Sequence, residues 1–138
     1  MFISREYDYA LRILRALAGE KRLSVGQICE AEHIPQPYAY KILKKLEKAS
    51  ILAGYRGAQG GYELARKLAE VSLYDVYEAV EGALCINECM QEGYRCPNNE
   101  GGRHCSVHSE LCDMQKQFAA LMKARSMEDI LGPVATHI

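Results

Sequence analysis

Apolar and polar positions alternate along the chain with a mostly helical period. Tyr7, Ala10, Leu11, Leu14 and Leu17 recur at i, i+3, i+4, i+7 and i+10, which predicts a helix with one buried face. Ser4 is placed to cap its start, and Gly19 fits its end after about Ala18. Ser24-Val-Gly-Gln27 has the form of a capping box and opens a second helix to about His33. Pro35 and Pro37 then punctuate a turn. A third helix follows, with Tyr38, Ile42, Leu43 and Leu46 as its apolar stripe and Lys41, Lys44, Lys45 and Lys48 on the other side. Ser50 breaks that pattern. Ile51 to Tyr55 reads as a short strand, Arg56-Gly-Ala-Gln-Gly-Gly61 as a glycine-rich turn, and Tyr62 to Ala65 as the return strand.

Beyond the hairpin, Ser72-Leu-Tyr-Asp75 is another capping box, opening a helix to about Glu81 with Leu73, Val76, Tyr77 and Val80 as its apolar face. Gly82 ends it. Residues 83–104 show no periodicity, and a loop of that length inside a compact domain needs something to hold it. A long helix resumes from Ser106 to about Ala124, with Leu111, Met114, Phe118, Leu121 and Met122 at helical spacing. Such a helix needs a partner, from its own chain or from a second copy. Ser126-Met-Glu-Asp129 starts a last short turn, and Gly132-Pro133 releases the tail.

Two helices joined by a turn, followed by a hairpin with a basic tip, are the plan of a winged helix-turn-helix. In that plan the third helix enters a major groove and the tip reaches phosphates or a minor groove. Gln36, Tyr38, Tyr40 and Lys41 then stand where base edges are read, and Lys44 and Lys45 meet phosphate. Arg56 enters a narrow minor groove or binds phosphate, beside Gln59 and Gly60 in the same turn. Charge is distributed to match. Residues 1–34 are balanced, residues 35–67 carry seven basic against two acidic side chains (net +5), and residues 68–138 have a net charge of −6. The overall net charge of −1 hides this concentration of positive charge in one segment. No run is long enough and apolar enough for a membrane span, and the charged N-terminus lacks a signal-peptide core, so a cytoplasmic location and no membrane partner are expected.

Six cysteines are many for a cytosolic chain, and five of them fall between Cys85 and Cys112. In a reducing compartment this points to metal or redox chemistry before disulfides. Cys85, Cys89, Cys96, Cys105 and Cys112 are separated by three, six, eight and six residues, with His104 and His108 flanking Cys105. The absence of any C-x-x-C pair disfavours zinc knuckles. Single thiolates spread along a flexible loop can wrap an iron–sulfur centre. Cys29, among apolar positions of the second helix, reads as core, and His33 and His137 carry no assigned role.

Asp8-Tyr-Ala-Leu-Arg12, Ile34-Pro35, Tyr38, the KILKKLEKA run and Arg56-Gly-x-x-Gly-Gly-Tyr-x-Leu-Ala-Arg66 together resemble the winged-helix iron–sulfur regulators of the IscR and NsrR type, over about residues 1–131. The wing motif is the most specific part. The resemblance implies a mainly α fold with three parts. These are a winged helix-turn-helix DNA-binding domain (1–82), a cysteine-rich cluster-binding loop (83–105), and a long dimerisation helix with a tail (106–138). It implies a homodimer on a palindromic double-stranded operator, controlling genes according to iron–sulfur, redox or nitric oxide status. It also implies Cys89, Cys96 and Cys105 as cluster ligands. The fourth ligand is His108 in one branch of the family, and in the other Asp8 reached from the second subunit; Cys85, Cys112 or an exogenous ligand are the remaining candidates. The cysteine spacing departs from the family's usual pattern and leaves 2Fe–2S and 4Fe–4S both open. The other regulator reading is a winged helix without a cluster, using a thiol/disulfide switch or zinc. No nucleotide-binding loop or nucleophile–base pairing supports an enzyme, and the retained lysines and Arg56 argue against an adaptor that has lost DNA binding.

Overall fold

The computed structural model describes residues 2–19 and 21–132. Helix α1 (Arg5–Leu17) starts where the Ser4 hydroxyl accepts the Tyr7 amide at 3.1 Å. It buries Tyr7, Tyr9, Ala10, Ile13, Leu14 and Leu17, so Ile13 and Tyr9 join the face read from the sequence while Leu11 packs only at its margin. Helix α2 (Val25–Glu32) opens with the expected reciprocal capping box of Ser24 and Gln27, and it ends at His33 in the left-handed conformation, φ 55°. One turn later Pro35 starts α3 (Gln36–Lys48). These three helices pack on one another, and α4 (Leu73–Glu81) closes the core across α1 and α3. Glu32, a buried carboxylate of α2, is held by Arg15 of α1 through a bidentate pair at 3.0 and 2.5 Å. That pairing offsets the desolvation of a charge in the core.

The buried stripe of α3 is Ala39, Ile42, Leu43 and Leu46, a turn-by-turn spacing that leaves Tyr38 outside it. Tyr38 is half exposed, with the edge of its ring against Tyr9 at a centroid distance of 6.0 Å. The sequence reading placed Tyr38 in the stripe because it lies four residues before Ile42. In the first turn, however, only the edge of Tyr9 covers it, and the smaller Ala39 takes the core position.

Strands β1 (Leu52–Tyr55) and β2 (Gly61–Leu64) form the antiparallel wing, with Leu52 opposite Leu64 and Tyr55 opposite Gly61. A third, one-residue strand extends it. Leu23 exchanges backbone hydrogen bonds with Tyr62 at 3.0 and 2.8 Å. The cysteine-bearing segment after Gly82 holds two short 3-10 turns, Glu88–Met90 and Pro97–Asn99, and otherwise runs irregularly to α5 (Ser106–Lys123). Helix α6 (Met127–Leu131) is pinned beside the start of α4. The Met127 amide donates to Val71 O at 2.7 Å, and the Leu73 amide donates to Arg125 O at 2.9 Å. The tail expected beyond Gly132, with His137, lies outside the described residues.

Helix α5 buries only Met122 fully, and Phe118 packs partly on the core. Val107, Met114 and Leu121 stay exposed at 65%, 52% and 54%. With Leu111 and Phe118 they fall at alternating spacings of four and three, the seam of a helix that packs against another helix. Phe2 lies edge-on to Phe118 at 5.2 Å between ring centroids. No helix among the described residues is long and apolar enough to cross a membrane.

Candidate functional site

Helix α3 presents Gln36, Tyr38, Tyr40, Lys41 and Lys44 to solvent. Two of its lysines converge on Glu6 of α1. Lys41 Nζ lies 2.7 Å from one carboxylate oxygen and Lys45 Nζ lies 2.9 Å from the other. Hydrogen bonds from Lys41 and then Lys45 hold the Glu6 carboxyl below its ordinary value, and Glu6 in turn raises Lys41. The two lysines differ in reach. Lys41 keeps 60% of its side chain exposed. Lys45 is half-buried and also donates to Val80 O at 2.9 Å, so its ammonium points into the junction of α1, α3 and α4. The structure thus gives the cationic face of α3 to Lys41, Lys44 and Lys48, and engages Lys45 internally.

Arg56 and Gln59 project at the wing tip. Gly60 closes the turn with its amide donating to Gly57 O at 2.9 Å, and a Cβ there would meet Tyr55 O at 2.6 Å. Gly61 has φ 139°, and a Cβ there would meet Leu23 O at 2.4 Å. The glycine pair is therefore required by close backbone approach, of Tyr55 to Gly60 and of Leu23 to Gly61. Arg22, which sequence reading passed over, also reaches the wing: its guanidinium lies 3.6 Å from the centroid of the Tyr55 ring. It sits in a short non-periodic link, where pattern gives no signal.

The second constellation is the irregular segment between α4 and α5. Cys89, Cys96, Cys105 and His108 line one cavity of about 450 Å³, together with Asn87, Arg95 and Glu100. All four of these donors are partly buried, and the thiols are free. Local geometry explains part of the convergence. Cys105 is the N-cap of α5, its sulfur accepting the His108 amide at 3.4 Å, so the first turn of the helix carries His108 back over the loop. His108 Nδ1 then lies 3.2 Å from Cys89 Sγ, and its Nε2 lies 3.4 Å from Cys112 Sγ. Asn87 Nδ2 donates to Cys89 Sγ at 3.2 Å, and the Cys85 thiol donates to Asn87 O at 3.0 Å. The loop is also tied to α5 where the Ile86 amide donates to Gln115 Oε1 at 2.9 Å.

Asp8 stands elsewhere, on α1, ion-paired with Arg12 at 2.9 Å. It does not line the cavity of its own chain. Among the described residues, no three His, Cys, Asp or Glu side chains are arranged to share a single metal ion. Cys29 packs against the core, and burial pushes its thiol up.

Comparison with known proteins agrees with this architecture. Protein aau3 of Rhizobium meliloti is 27% identical over 134 residues, spanning 95% of this chain and 85% of that protein. The HTH-type transcriptional regulator IscR of Aliivibrio salmonicida is 28% identical over 115 residues, 83% of this chain and 66% of that protein. Among solved structures, T. potens IscR superposes with a TM-score of 0.73 at 24% identity, over 95% of this chain and 86% of that one. CymR, the global cysteine regulator of B. subtilis, does so with a TM-score of 0.73 at 21% identity, over 95% and 96%. These likenesses establish the winged-helix fold. The family described as Rrf2, iron-dependent transcriptional regulator, matches residues 3–133; the chain belongs to that family of DNA-binding regulators and is not an enzyme.

Proposed function

We propose that this chain is a cytoplasmic, homodimeric repressor or activator that reads a palindromic operator and senses iron–sulfur, redox or nitric oxide status through an iron–sulfur cluster. Its ligands are Cys89, Cys96, Cys105 and, as the fourth, His108. The observation that carries this reading is the shared cavity bordered by three thiols and one imidazole. What supports a cluster is the donor chemistry: thiolates carried on an irregular loop, with an imidazole beside them, are the ligand set of iron–sulfur centres. His108 is favoured over Asp8 because it borders that cavity, whereas Asp8 is paired with Arg12 and would have to come from the second subunit. When bound, the cluster would supply redox and nitric oxide reactivity.

The chain's own residues do the rest. Residues 1–82 form the reading head: Gln36, Tyr38, Tyr40 and Lys41 at base edges, Lys44 on phosphate, and Arg56, Gln59 and Gly60 at the wing. Residues 83–105 hold the cluster together with His108, and residues 106–138 carry the dimer helix. Cys105 caps α5, so a change in what Cys105 binds acts directly on the first turn of the dimer helix. That is a local event biasing the placement of two reading heads.

Cys96→Ala should abolish the visible absorbance of protein prepared without oxygen; unchanged colour removes the ligand assignment. Arg56→Ala should weaken binding to a duplex selected by the wild-type chain from a random pool; undiminished affinity at matched salt removes the wing's role.

A second reading has its own support. His108 bridges Cys89 and Cys112, and CymR of Staphylococcus aureus, similar in fold, has been solved in an oxidized form. A thiol switch between those cysteines would need neither iron nor sulfide, and elemental analysis separates the two.

A further inference from the structure

The wing is clamped to the helical core by a residue outside the wing itself. Leu23 forms the one-residue strand beside Tyr62, which sets Arg22 opposite Glu63. Side chains alternate faces along a strand, so Arg22, Glu63, Gly61 and Tyr55 share one face of this small sheet. Gly61 stands between them without a side chain, and the Arg22 side chain crosses there to Tyr55. Its guanidinium lies 3.6 Å from the centroid of the Tyr55 ring. Its Nε donates to Glu63 Oε2 at 3.3 Å, and its Nη1 donates to Gln59 O at 3.5 Å, at the tip beside Arg56. One side chain therefore touches β1, β2 and the turn between them, and its own backbone belongs to the link into α2.

We infer that Arg22 is a positioning residue for DNA binding, fixing the wing at the angle from which Arg56 reaches the duplex. This rests on the reading that the wing contacts DNA. Arg22 is not itself assigned a phosphate, because its charge is met by Glu63 and its plane is covered by Tyr55. Lysine cannot replace it, since the contact uses a planar fork that both stacks and donates.

The test uses the full chain and a duplex selected from a random pool by the wild-type protein. Binding is measured for wild type, Arg22→Ala, Arg22→Lys, Arg56→Ala and the Arg22→Ala/Arg56→Ala double variant. Arg22→Ala should weaken binding about fivefold to tenfold, the scale of a lost stacked cation with its hydrogen bonds. Arg22→Lys should recover less than half of that loss on a logarithmic scale. In the Arg56→Ala background the same change should cost less than about twofold, because the charged side chain that Arg22 positions is gone. Without DNA, amide exchange at residues 57–61 should speed up in Arg22→Ala and stay at the wild-type rate in Arg56→Ala. Unchanged affinity in Arg22→Ala, or losses that add fully in the double variant, overturns the positioning role while leaving the wing's contact with DNA intact. A full-strength Arg56→Ala, or a wild-type chain that selects no duplex, overturns the wing reading and the role of Arg22 with it.

Discussion

Lys45 Nζ lies 2.9 Å from the main-chain oxygen of Val80, two residues before Gly82 begins the cysteine-bearing segment. The same ammonium lies 2.9 Å from Glu6, so one side chain of the recognition helix ties α3 to α1 and to the last turn of α4. A cation at a helix C-terminus also meets the negative end of the helix dipole.

Neighbouring lysines on α3 should therefore behave differently. Lys45→Met should lower stability by about 1–2 kcal/mol in chemical denaturation, through a lost charge-assisted hydrogen bond to Glu6, which keeps only Lys41, and the lost bond to Val80 O. It should leave the salt dependence of DNA binding near that of wild type. Lys44→Met should do the reverse, changing stability by less than about 0.5 kcal/mol and reducing the slope of log affinity against log salt by about 1. Equal slopes lost in both variants would return Lys45 to the phosphate contacts.

Gly61→Ala should damage the wing more than any surface change near it. The residue sits at φ 139° with Leu23 O only 2.4 Å from where a Cβ would stand. Strain and the displaced bridge to Leu23 should cost about 1–3 kcal/mol and expose the amides of Leu23 and Tyr62 to exchange. Protection of those amides at the wild-type level would show that the bridge does not depend on the glycine.

Tyr7 offers a pH test of the core. It is 3% exposed and donates its hydroxyl to Leu73 O at 2.9 Å, and burial raises its pKa from 10.0 to about 12. The folded state favours the neutral phenol. Its contribution is therefore complete below pH 10 and is lost as pH rises toward 12. Across that window wild type should lose about 2 kcal/mol more stability than Tyr7→Phe. Parallel stability curves for the two proteins would contradict the burial of that hydroxyl.

Helix α5 should dimerise through Val107, Leu111, Met114, Phe118 and Leu121. Met114→Glu or Leu121→Glu places a charge in that seam and should convert dimers to monomers in sedimentation equilibrium, whereas Lys116→Glu, off the seam, should not. Dimers that survive both seam changes would place the subunit contact elsewhere.

Much of this architecture was legible because it is local. Ser24, Ser72 and Ser126 open their helices with the capping boxes their spacing announces, the lysine helix falls where its period puts it, and the glycine-rich turn locates the hairpin with each strand end within one residue. Tyr38 was misplaced because period alone cannot say which end of a stripe is covered. The partners of Lys45 lie 39 and 35 residues away, and Arg22 meets a wing 41 residues on, so neither role leaves a local pattern. In the cysteine segment the sequence supplied the donor types and left the fourth open. The cap formed by Cys105, a helix detail, brings His108 over Cys89.

An iron–sulfur centre in the loop between α4 and α5, beside a DNA-reading head, is what we propose for this chain. Iron and acid-labile sulfide should be determined on the full chain purified without oxygen, alongside its visible spectrum. Iron and sulfide should be present in equal molar amounts, two or four of each per chain, with absorbance that disappears in Cys89→Ala and Cys105→Ala. Colourless protein free of iron and sulfide after anaerobic reconstitution, still binding its selected duplex, would contradict it.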